Sequence, residues 1–261
     1  MFQRRETSDS GTPQYNIMPV IGIIGQYFRR HMTQLTGHER AKYVQSMFTK
    51  IAHRYDLMNR LMTGGQDIRW RKEVIQHAKL RPNASLLDLG TGTGDLAREA
   101  LAQFPKTRVT AADFTLEMMR VGKKNGDLNF SSADALNLPF KDKSFDAVVS
   151  GFLMRNVTDV QKALKEQYRI LKPGGRIVIL DTTKPKKNLL SPFIKFHMHV
   201  IIPFVGGVLS GVRDAYEYLP DTTENFLTAE ELSVRMVAVG FRRANFKRLM
   251  FGTIAIHWGE R

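Results

Sequence analysis

The sequence predicts an α/β protein with a doubly wound (Rossmann-like), mostly parallel sheet that ends in a C-terminal antiparallel hairpin. Three observations carry this fold class. Apolar strand-like runs alternate with helical patterns over residues 85–183, which is the spacing of right-handed βαβ crossovers. A glycine-rich turn follows the first strand, and residues 242–260 have the pattern of two strands joined by a turn. In such a sheet, ligands bind beyond the carboxyl ends of the strands where strand order reverses.

The elements follow in order along the chain. The expected strands are SLLDLG (85–90), RVTAADF (108–114), LNFSSADA (128–135), FDAVVSGFLM (145–154) and RIVILDTT (176–183). The helices between them are GDLAREALAQF (94–104), TLEMMRVGKKN (115–125) and DVQKALKEQYRIL (159–171), the last of which stops at KPGG. Thr115 is the expected cap of the second helix. Thr228 and Glu231 have the spacing of a capping box for a later helix.

The first part of the chain has a different organisation. Residues 1–38 are expected to form an N-terminal extension, flexible or lying at an interface, and residues 39–261 a single domain. Apolar residues at helical spacing predict two amphipathic helices, at 47–62 and 68–80, joined by TGGQD. These helices would cover the carboxyl edge of the sheet.

Composition narrows the class of protein. The 261 residues include no cysteine, which excludes disulfides, cysteine-ligated zinc, iron–sulfur clusters and a thiolate nucleophile. The net charge of +14 favours an anionic partner, either nucleic acid or an anionic membrane surface, and a well-solvated surface is the alternative. We find no signal peptide and no apolar run of membrane-spanning length, so a cytoplasmic location is expected.

The glycine loop LLDLGTGTGDL (86–96) points to a particular cofactor. Gly90, Gly92 and Gly94 allow close backbone contact, and Asp88 and Asp95 flank them. In a dinucleotide site the pyrophosphate lies on the helix N-terminus, where Asp95 would repel it. S-adenosyl-L-methionine has no phosphate and carries positive charge at its sulfonium and amino groups. The flanking acids therefore favour S-adenosylmethionine.

Two further acids stand at the ends of the next strands. Asp113 lies about 20 residues beyond the last glycine, the position from which a carboxylate accepts ribose hydroxyls. Asp134 is placed to accept from the adenine amino group, while Ala135 supplies a backbone N–H. Each acid alone is equally typical of a cap or a strand-end turn. Three acids at three successive strand ends favour a cofactor site.

Several separate stretches resemble the ubiquinone/menaquinone biosynthesis C-methyltransferase family. They are YDLMNRLMTGG…W (55–70), LDLGTGTGDL, DALNLPF, RNVTD (155–159), YRILKPGGRIVILD (168–181), YEYLPDT (216–222) and GTIAIHWG (252–259). The glycine loop and LKPGG are common to many methyltransferases, whereas YDLMN and RNVTD together are specific. The resemblance implies a class I methyltransferase fold and methylation of a ring carbon of a polyprenylated quinol, either a demethylmenaquinol (favoured) or a methoxy-benzoquinol.

The resemblance also implies site residues. It places cofactor contacts on Thr93, Asp113, the pair Asp134–Ala135, and Gly151, where the family usually has serine. Serine at that position would add a side-chain contact that glycine lacks. Other departures indicate a divergent member and leave the quinone type open: Thr63 for serine, Asp67 for histidine, and Asp181 with Thr183 for Glu-x-Ser.

Carbon methylation requires an electron-rich ring carbon in line with the S–CH₃ bond, and no metal. Arg155 is the candidate that stabilises the quinol phenolate or a hydroxide-like water; it cannot act as a base itself. Asn156 would orient a ring oxygen, and Tyr55 would reach the cofactor or ring from the helical cover. The alternative for Arg155 is an ion pair with Asp159 at i,i+4 spacing. His197 and His199 are more typical of packed or surface residues.

Residues 184–212 combine KPKK with a long apolar stretch, more than a crossover needs. They are expected to form a lid after the fifth strand, to line an isoprenoid channel, or to lie at a membrane surface, which would make the protein peripherally membrane-associated. An RNA methyltransferase and a non-catalytic quinone-binding protein are the rival functions, and nucleic acid is not favoured because the basic residues are scattered. A homodimer remains open.

Overall fold

The computed structural model describes residues 37–184 and 222–261. The predicted N-terminal extension lies almost wholly outside these residues. So do positions 185–212 of the expected lid, which include His197 and His199, and most of YEYLPDT. The division into an extension and one domain therefore stays a prediction.

Seven strands form one sheet in the order β3-β2-β1-β4-β5-β7-β6. Strands β1 to β5 pair in parallel, and β7 lies antiparallel between β5 and β6. This arrangement confirms the doubly wound fold with a C-terminal hairpin. The strands are β1 (Ser85–Leu89), β2 (Arg108–Asp113), β3 (Asn129–Ser132), β4 (Phe145–Gly151), β5 (Leu171–Thr182), β6 (Arg242–Leu249) and β7 (Ile254–Glu260).

Helices cover both faces of the sheet in the described part of the chain. They are α1 (Gly37–Ile51), α2 (Tyr55–Thr63), α3 (Gln66–Ala78), α4 (Asp95–Gln103), α5 (Leu116–Lys124), α6 (Val160–Ile170) and α7 (Ala229–Val239). The predicted capping box is confirmed, because Thr228 and Glu231 bond each other's backbone N–H at the start of α7. Among the described residues, no helix is long and apolar enough to cross a membrane.

The core consists of two apolar layers, one on each face of the sheet. Leu87 and Ile177 point into the layer that α6 and α7 cover, whereas Leu86 and Val178 point into the layer that α3 and α4 cover. Neighbouring residues alternate between faces, and both faces are buried. The interior strands are therefore apolar almost without interruption, as expected for a parallel sheet.

Two sequence expectations about elements were wrong, and a third, Thr115 as a helix cap, is confirmed in position but not in its side-chain bond. The helix expected at 47–62 is broken by a 3-10 turn at Ala52–Arg54. The ψ angles of Ile51 and Arg54, at the two ends of this turn, are close to zero. Thr115 stands at the start of α5, but its side chain makes no cap; the Asp113 carboxylate accepts from its backbone N–H instead. Strand β5 begins at Leu171 rather than Arg176, with irregular pairing to β4.

Candidate active site

An open cavity, of about 890 Å³ when the solvent space at its mouth is included, lies at the carboxyl ends of the parallel strands. Its walls come from the residues that follow β1, β2, β3 and β4, and helix α1 closes one side. Strand β1 lies between β2 and β4, so strand order reverses there. The cavity thus stands at the predicted switch point.

The glycine loop forms the floor of this cavity. Gly90, Gly92 and Gly94 all have positive φ, at 67°, 59° and 96°. A Cβ on Gly92 would lie 3.1 Å from the Met118 side chain, and one on Gly94 would collide with Leu128 at 2.5 Å. The loop is bare because its positive φ angles favour glycine; a Cβ would also require the ends of the neighbouring side chains to move.

Asp88 is fully buried at the end of β1. Its Oδ2 accepts from the Thr91 hydroxyl at 2.5 Å and from the Ala97 N–H at 3.0 Å, while Oδ1 has no hydrogen-bond partner among the described residues. Burial raises the pKa of Asp88 to about 7, although these hydrogen bonds oppose the rise. A buried acceptor without a donor is suited to a cationic ligand group.

Asp113 ends β2 as predicted, and its carboxylate accepts hydrogen bonds from the backbone of the surrounding loops. One oxygen accepts from the Gly92 N–H at 2.8 Å and the other from the Thr115 N–H at 2.7 Å. Burial raises its pKa above the ordinary value. Each oxygen keeps a second lone pair for ribose hydroxyls. The loop therefore fixes the carboxylate at the edge of the cavity.

Asp134 and Ala135 also line the cavity. Strand β3 ends at Ser132, so Asp134 lies two residues beyond it. Its Oδ1 accepts from the Leu136 N–H at 2.8 Å. Asp134 therefore makes a strand-end turn contact, which was the alternative to a cofactor contact. Its side chain remains exposed beside the cavity.

A second cavity, of about 410 Å³, adjoins the first and shares Tyr55, Gly92 and Gly151 with it. Thr93 lies here, and its hydroxyl donates to Asp56 at 2.7 Å. Gly151 ends β4, and a Cβ on it would lie 3.2 Å from the Leu96 side chain. A larger residue at this position would narrow the passage between the cavities.

Asp95 differs from the sequence expectation because its charge is paired within the protein. Its carboxylate lies 2.6 Å from Arg71 Nη1 and 3.7 Å from Arg98 Nη1. Two cations compensate its charge, so its repulsion of a pyrophosphate is weaker than expected from the sequence. Asp88 and Asp56 line the same cavity and attract a cationic ligand when they are ionised. Burial, together with the nearby Asp95 charge, raises the pKa of Asp56.

Comparisons with known proteins decide the family. The model of the ubiE/COQ5 methyltransferase family matches residues 35–261. The chain belongs to this family. The ubiquinone/menaquinone biosynthesis C-methyltransferase UbiE of Desulfotalea psychrophila is 44% identical over 219 residues, covering 83% of this chain and 89% of that protein. The demethylmenaquinone methyltransferase of Thermus thermophilus is 42% identical over 220 residues, covering 82% of this chain and 100% of that protein.

Solved structures agree on the fold of this methyltransferase. A putative methyltransferase of Haloferax volcanii, in complex with the activator Trm112, has a TM-score of 0.61 at 18% identity and covers 82% of this chain and 96% of its own. A possible histamine N-methyltransferase of Thermotoga maritima has a TM-score of 0.56 at 22% identity, covering 82% and 98%. The class I methyltransferase fold is confirmed, and the methyl donor is S-adenosylmethionine. The bare loop, the unpaired Asp88 oxygen and Asp113 fit that molecule.

The three catalytic candidates of this methyltransferase occupy different positions. Tyr55 lines both cavities from the start of α2, and Asn156 lines the larger one. The Asn156 side-chain amide donates to the Phe152 carbonyl at 2.9 Å. Arg155 is not among the residues that line either cavity. The structure therefore brings Tyr55 and Asn156 to the larger cavity, whereas Arg155 lines neither cavity.

Arg155 is buried and forms an ion pair with Asp181 at 2.7 Å. The alternative partner considered from the sequence, Asp159, is wrong: that carboxylate accepts from the Lys162 N–H and caps α6. The Arg155 Nε has no hydrogen-bond partner among the described residues. Burial raises the pKa of Tyr55, and the positive charge of Arg155 opposes that rise.

Sequence reasoning missed two residues of the smaller cavity, Asp56 and Arg71. Both stand on the helical cover, and the helical spacing of its apolar residues does not fix its rotation against the sheet. Two departures from the family pattern gave a partial signal: Thr63 and Asp67 lie four residues apart, and the Thr63 hydroxyl donates to Asp67 Oδ1 at 3.0 Å. The substituted positions thus form a polar pair that contacts Arg71.

Proposed function

We propose that this methyltransferase transfers the methyl group of S-adenosylmethionine to a ring carbon of a polyprenylated quinol, with a demethylmenaquinol favoured over a benzoquinol. The observation that carries the proposal is the similarity, over more than four fifths of the chain, to proteins named for menaquinone and ubiquinone biosynthesis. Several relatives carry the name demethylmenaquinone methyltransferase, including that of Deinococcus radiodurans at 36% identity.

The larger cavity suits an apolar ring beside the cofactor. Its lining includes seven aliphatic, aromatic and methionine side chains: Val44, Phe48, Phe114, Met118, Leu136, Leu153 and Val157. Phe114 is 41% exposed. Exposed apolar surface at the edge of a cavity is typical of a binding site for an apolar ligand. These residues support a substrate with an apolar body.

The bound cofactor supplies an electrophilic methyl group on a sulfonium. The residues of this chain then have three tasks. Tyr55, where the two cavities join, orients the ring beside the methyl group. Asn156 binds a ring oxygen. Arg155 lines neither cavity, so it stabilises the developing phenolate through its charge alone, which the ion pair with Asp181 reduces. Loss of the quinol hydroxyl proton to solvent increases the electron density of the ring carbon that attacks. When the new C–CH₃ bond forms, the S–CH₃ bond breaks and the demethylated cofactor leaves; the methylated ring carbon then gives its own proton to solvent.

Substrate choice tests this proposal. The purified enzyme would receive S-adenosylmethionine and equal concentrations of a reduced demethylnaphthoquinone and a reduced methoxy-benzoquinone with the same short prenyl tail. We expect methylation of both rings with a higher kcat/KM for the naphthoquinol. Asp113→Ala serves as the control that lacks the ribose contact. A wild-type enzyme that binds the cofactor yet methylates neither quinol would contradict the proposal.

We also propose that the protein collects its substrate from an anionic membrane surface. The support is the net charge of +14 and the basic stretch KPKK at 184–187. Each basic residue near an anionic bilayer contributes on the order of 1 kcal/mol, and salt screens this attraction. Replacing Lys184, Lys186 and Lys187 with serine should weaken binding to anionic vesicles and slow the reaction of a long-tailed quinol. A short-tailed soluble quinol should react as before; equal loss on both quinols would contradict membrane collection.

A further inference from the structure

The smaller cavity has an unusual charge pattern. Three carboxylates line it, those of Asp56, Asp88 and Asp95, and among the described residues Arg71 is the single cation that does so. The cavity continues from the larger one past the glycine loop, on the side away from Asp134. If Asp113 and Asp134 hold the adenosine, the amino-acid end of S-adenosylmethionine lies in this smaller cavity.

That end of the cofactor carries one ammonium and one carboxylate. The ammonium is attracted to Asp56 and to the ionised form of Asp88, whereas Arg71 and Arg98 compensate the charge of Asp95. A guanidinium is the group that best binds a carboxylate, because its planar N–H donors match the two oxygens. Within the described part of the chain, Arg71 therefore offers the favourable position for the carboxylate.

Ion pairs with two carboxylates hold the Arg71 guanidinium in place. Its side chain is 11% exposed, and Asp67, which is fully buried, lies 3.0 Å from Nη1. Asp95 lies 2.6 Å from the same nitrogen. Both ion pairs use Nη1, and the facing oxygens of Asp67 and Asp95 have no partner in hydrogen-bonding geometry among the described residues. Thr63 donates to the other oxygen of Asp67.

We propose that Arg71 binds the carboxylate of S-adenosylmethionine and that Asp67 positions its guanidinium. The inference rests on the proposed cofactor site and adds a residue to it. Removing the guanidinium should weaken binding only of ligands that carry the carboxylate. Loss of one charge-assisted hydrogen-bonding group corresponds to a decrease in affinity of about 10- to 100-fold.

The test measures dissociation constants by calorimetry for three ligands. S-adenosylmethionine has both groups, decarboxylated S-adenosylmethionine keeps the amine, and methylthioadenosine has neither. The wild type should prefer S-adenosylmethionine to its decarboxylated form. Arg71→Gln should lose about 10- to 100-fold in affinity for S-adenosylmethionine, while the other two ligands bind as to the wild type or more tightly. Arg71→Lys, which keeps the charge without the planar fork, should show an intermediate loss.

Arg69→Gln is the matched control, because Arg69 is an exposed arginine on the same helix outside both cavities. It removes the same charge and should change none of the three constants. Asp67→Asn should reduce the preference for the carboxylate without affecting methylthioadenosine. An equal decrease in affinity for all three ligands in Arg71→Gln would overturn the inference. A wild type that binds S-adenosylmethionine and its decarboxylated form with equal affinity would also overturn it. A wild type that binds none of them would instead contradict the cofactor site.

Discussion

Replacing Asp88 with asparagine should stabilise the ligand-free enzyme at alkaline pH while weakening its hold on the cofactor. The carboxyl group is fully buried, and its Oδ1 has no hydrogen-bond partner among the described residues. Desolvation therefore disfavours its ionised form in the folded protein. Asparagine has nearly the same shape and keeps one acceptor for the Ala97 N–H, but it cannot ionise.

The magnitude follows from the pKa of Asp88, which is about 7 in the folded protein against an ordinary value of 3.8. Because the folded pKa is the higher one, the folded state binds more protons between these values. The stability contributed by the protonated form is complete below pH 3.8 and is lost as pH rises through about 7. The full loss corresponds to about 4 kcal/mol, of which roughly 2–3 kcal/mol develops between pH 5 and pH 8.

Urea unfolding of the wild type and Asp88→Asn, each at pH 5 and pH 8, measures this effect. The difference in unfolding free energy between the two proteins should shift by about 2–3 kcal/mol in favour of the variant at the higher pH. Groups that titrate identically in both proteins cancel in this comparison. A difference that does not change with pH would refute the raised pKa. In the wild type, cofactor affinity should increase from pH 6 to pH 8, because ionised Asp88 attracts a cation.

Two further substitutions test other parts of the site. Asp113→Ala removes the acceptor at the end of β2 and should weaken S-adenosylmethionine binding by about 1.5–3 kcal/mol for each hydrogen bond lost, measured by calorimetry; unchanged affinity in a folded variant would exclude the ribose assignment. Asp181→Asn leaves the Arg155 charge buried without its partner and should cost about 3–5 kcal/mol of unfolding free energy. Asp159→Asn keeps a capping side chain at α6 and should cost less than about 1 kcal/mol in the same urea titration, so equal losses would contradict the observed pairing.

Much of the fold could be predicted from local patterns. The parallel strands, the glycine loop and the α7 capping box depend on residues close together in sequence, and their periodicity and spacing are sufficient to locate them. The break at Ala52–Arg54 was missed because the apolar residues on both sides keep helical spacing. No glycine or proline marks that break.

The contacts that complete the site depend on tertiary packing. Asp181 meets Arg155 because β4 and β5 pair in a particular register, and the two residues are 26 positions apart. Local i,i+4 reasoning instead favoured Asp159. Arg71 reaches Asp95 only when α3 packs beside the glycine loop. Spacing within one helix gives no information about that contact.

This methyltransferase is expected to transfer the methyl group to carbon on a quinol ring. The most direct measurement uses S-adenosylmethionine with a ¹³C-labelled methyl group and a reduced demethylmenaquinone with a short tail. Carbon NMR of the product identifies the atom that receives the label. We predict a new methyl group bonded to a ring carbon, formed by the wild type and, at the same subsaturating cofactor concentration, more slowly by Asp113→Ala. Label on a ring oxygen, or an unchanged quinol in the presence of an enzyme that binds the cofactor, would contradict this expectation.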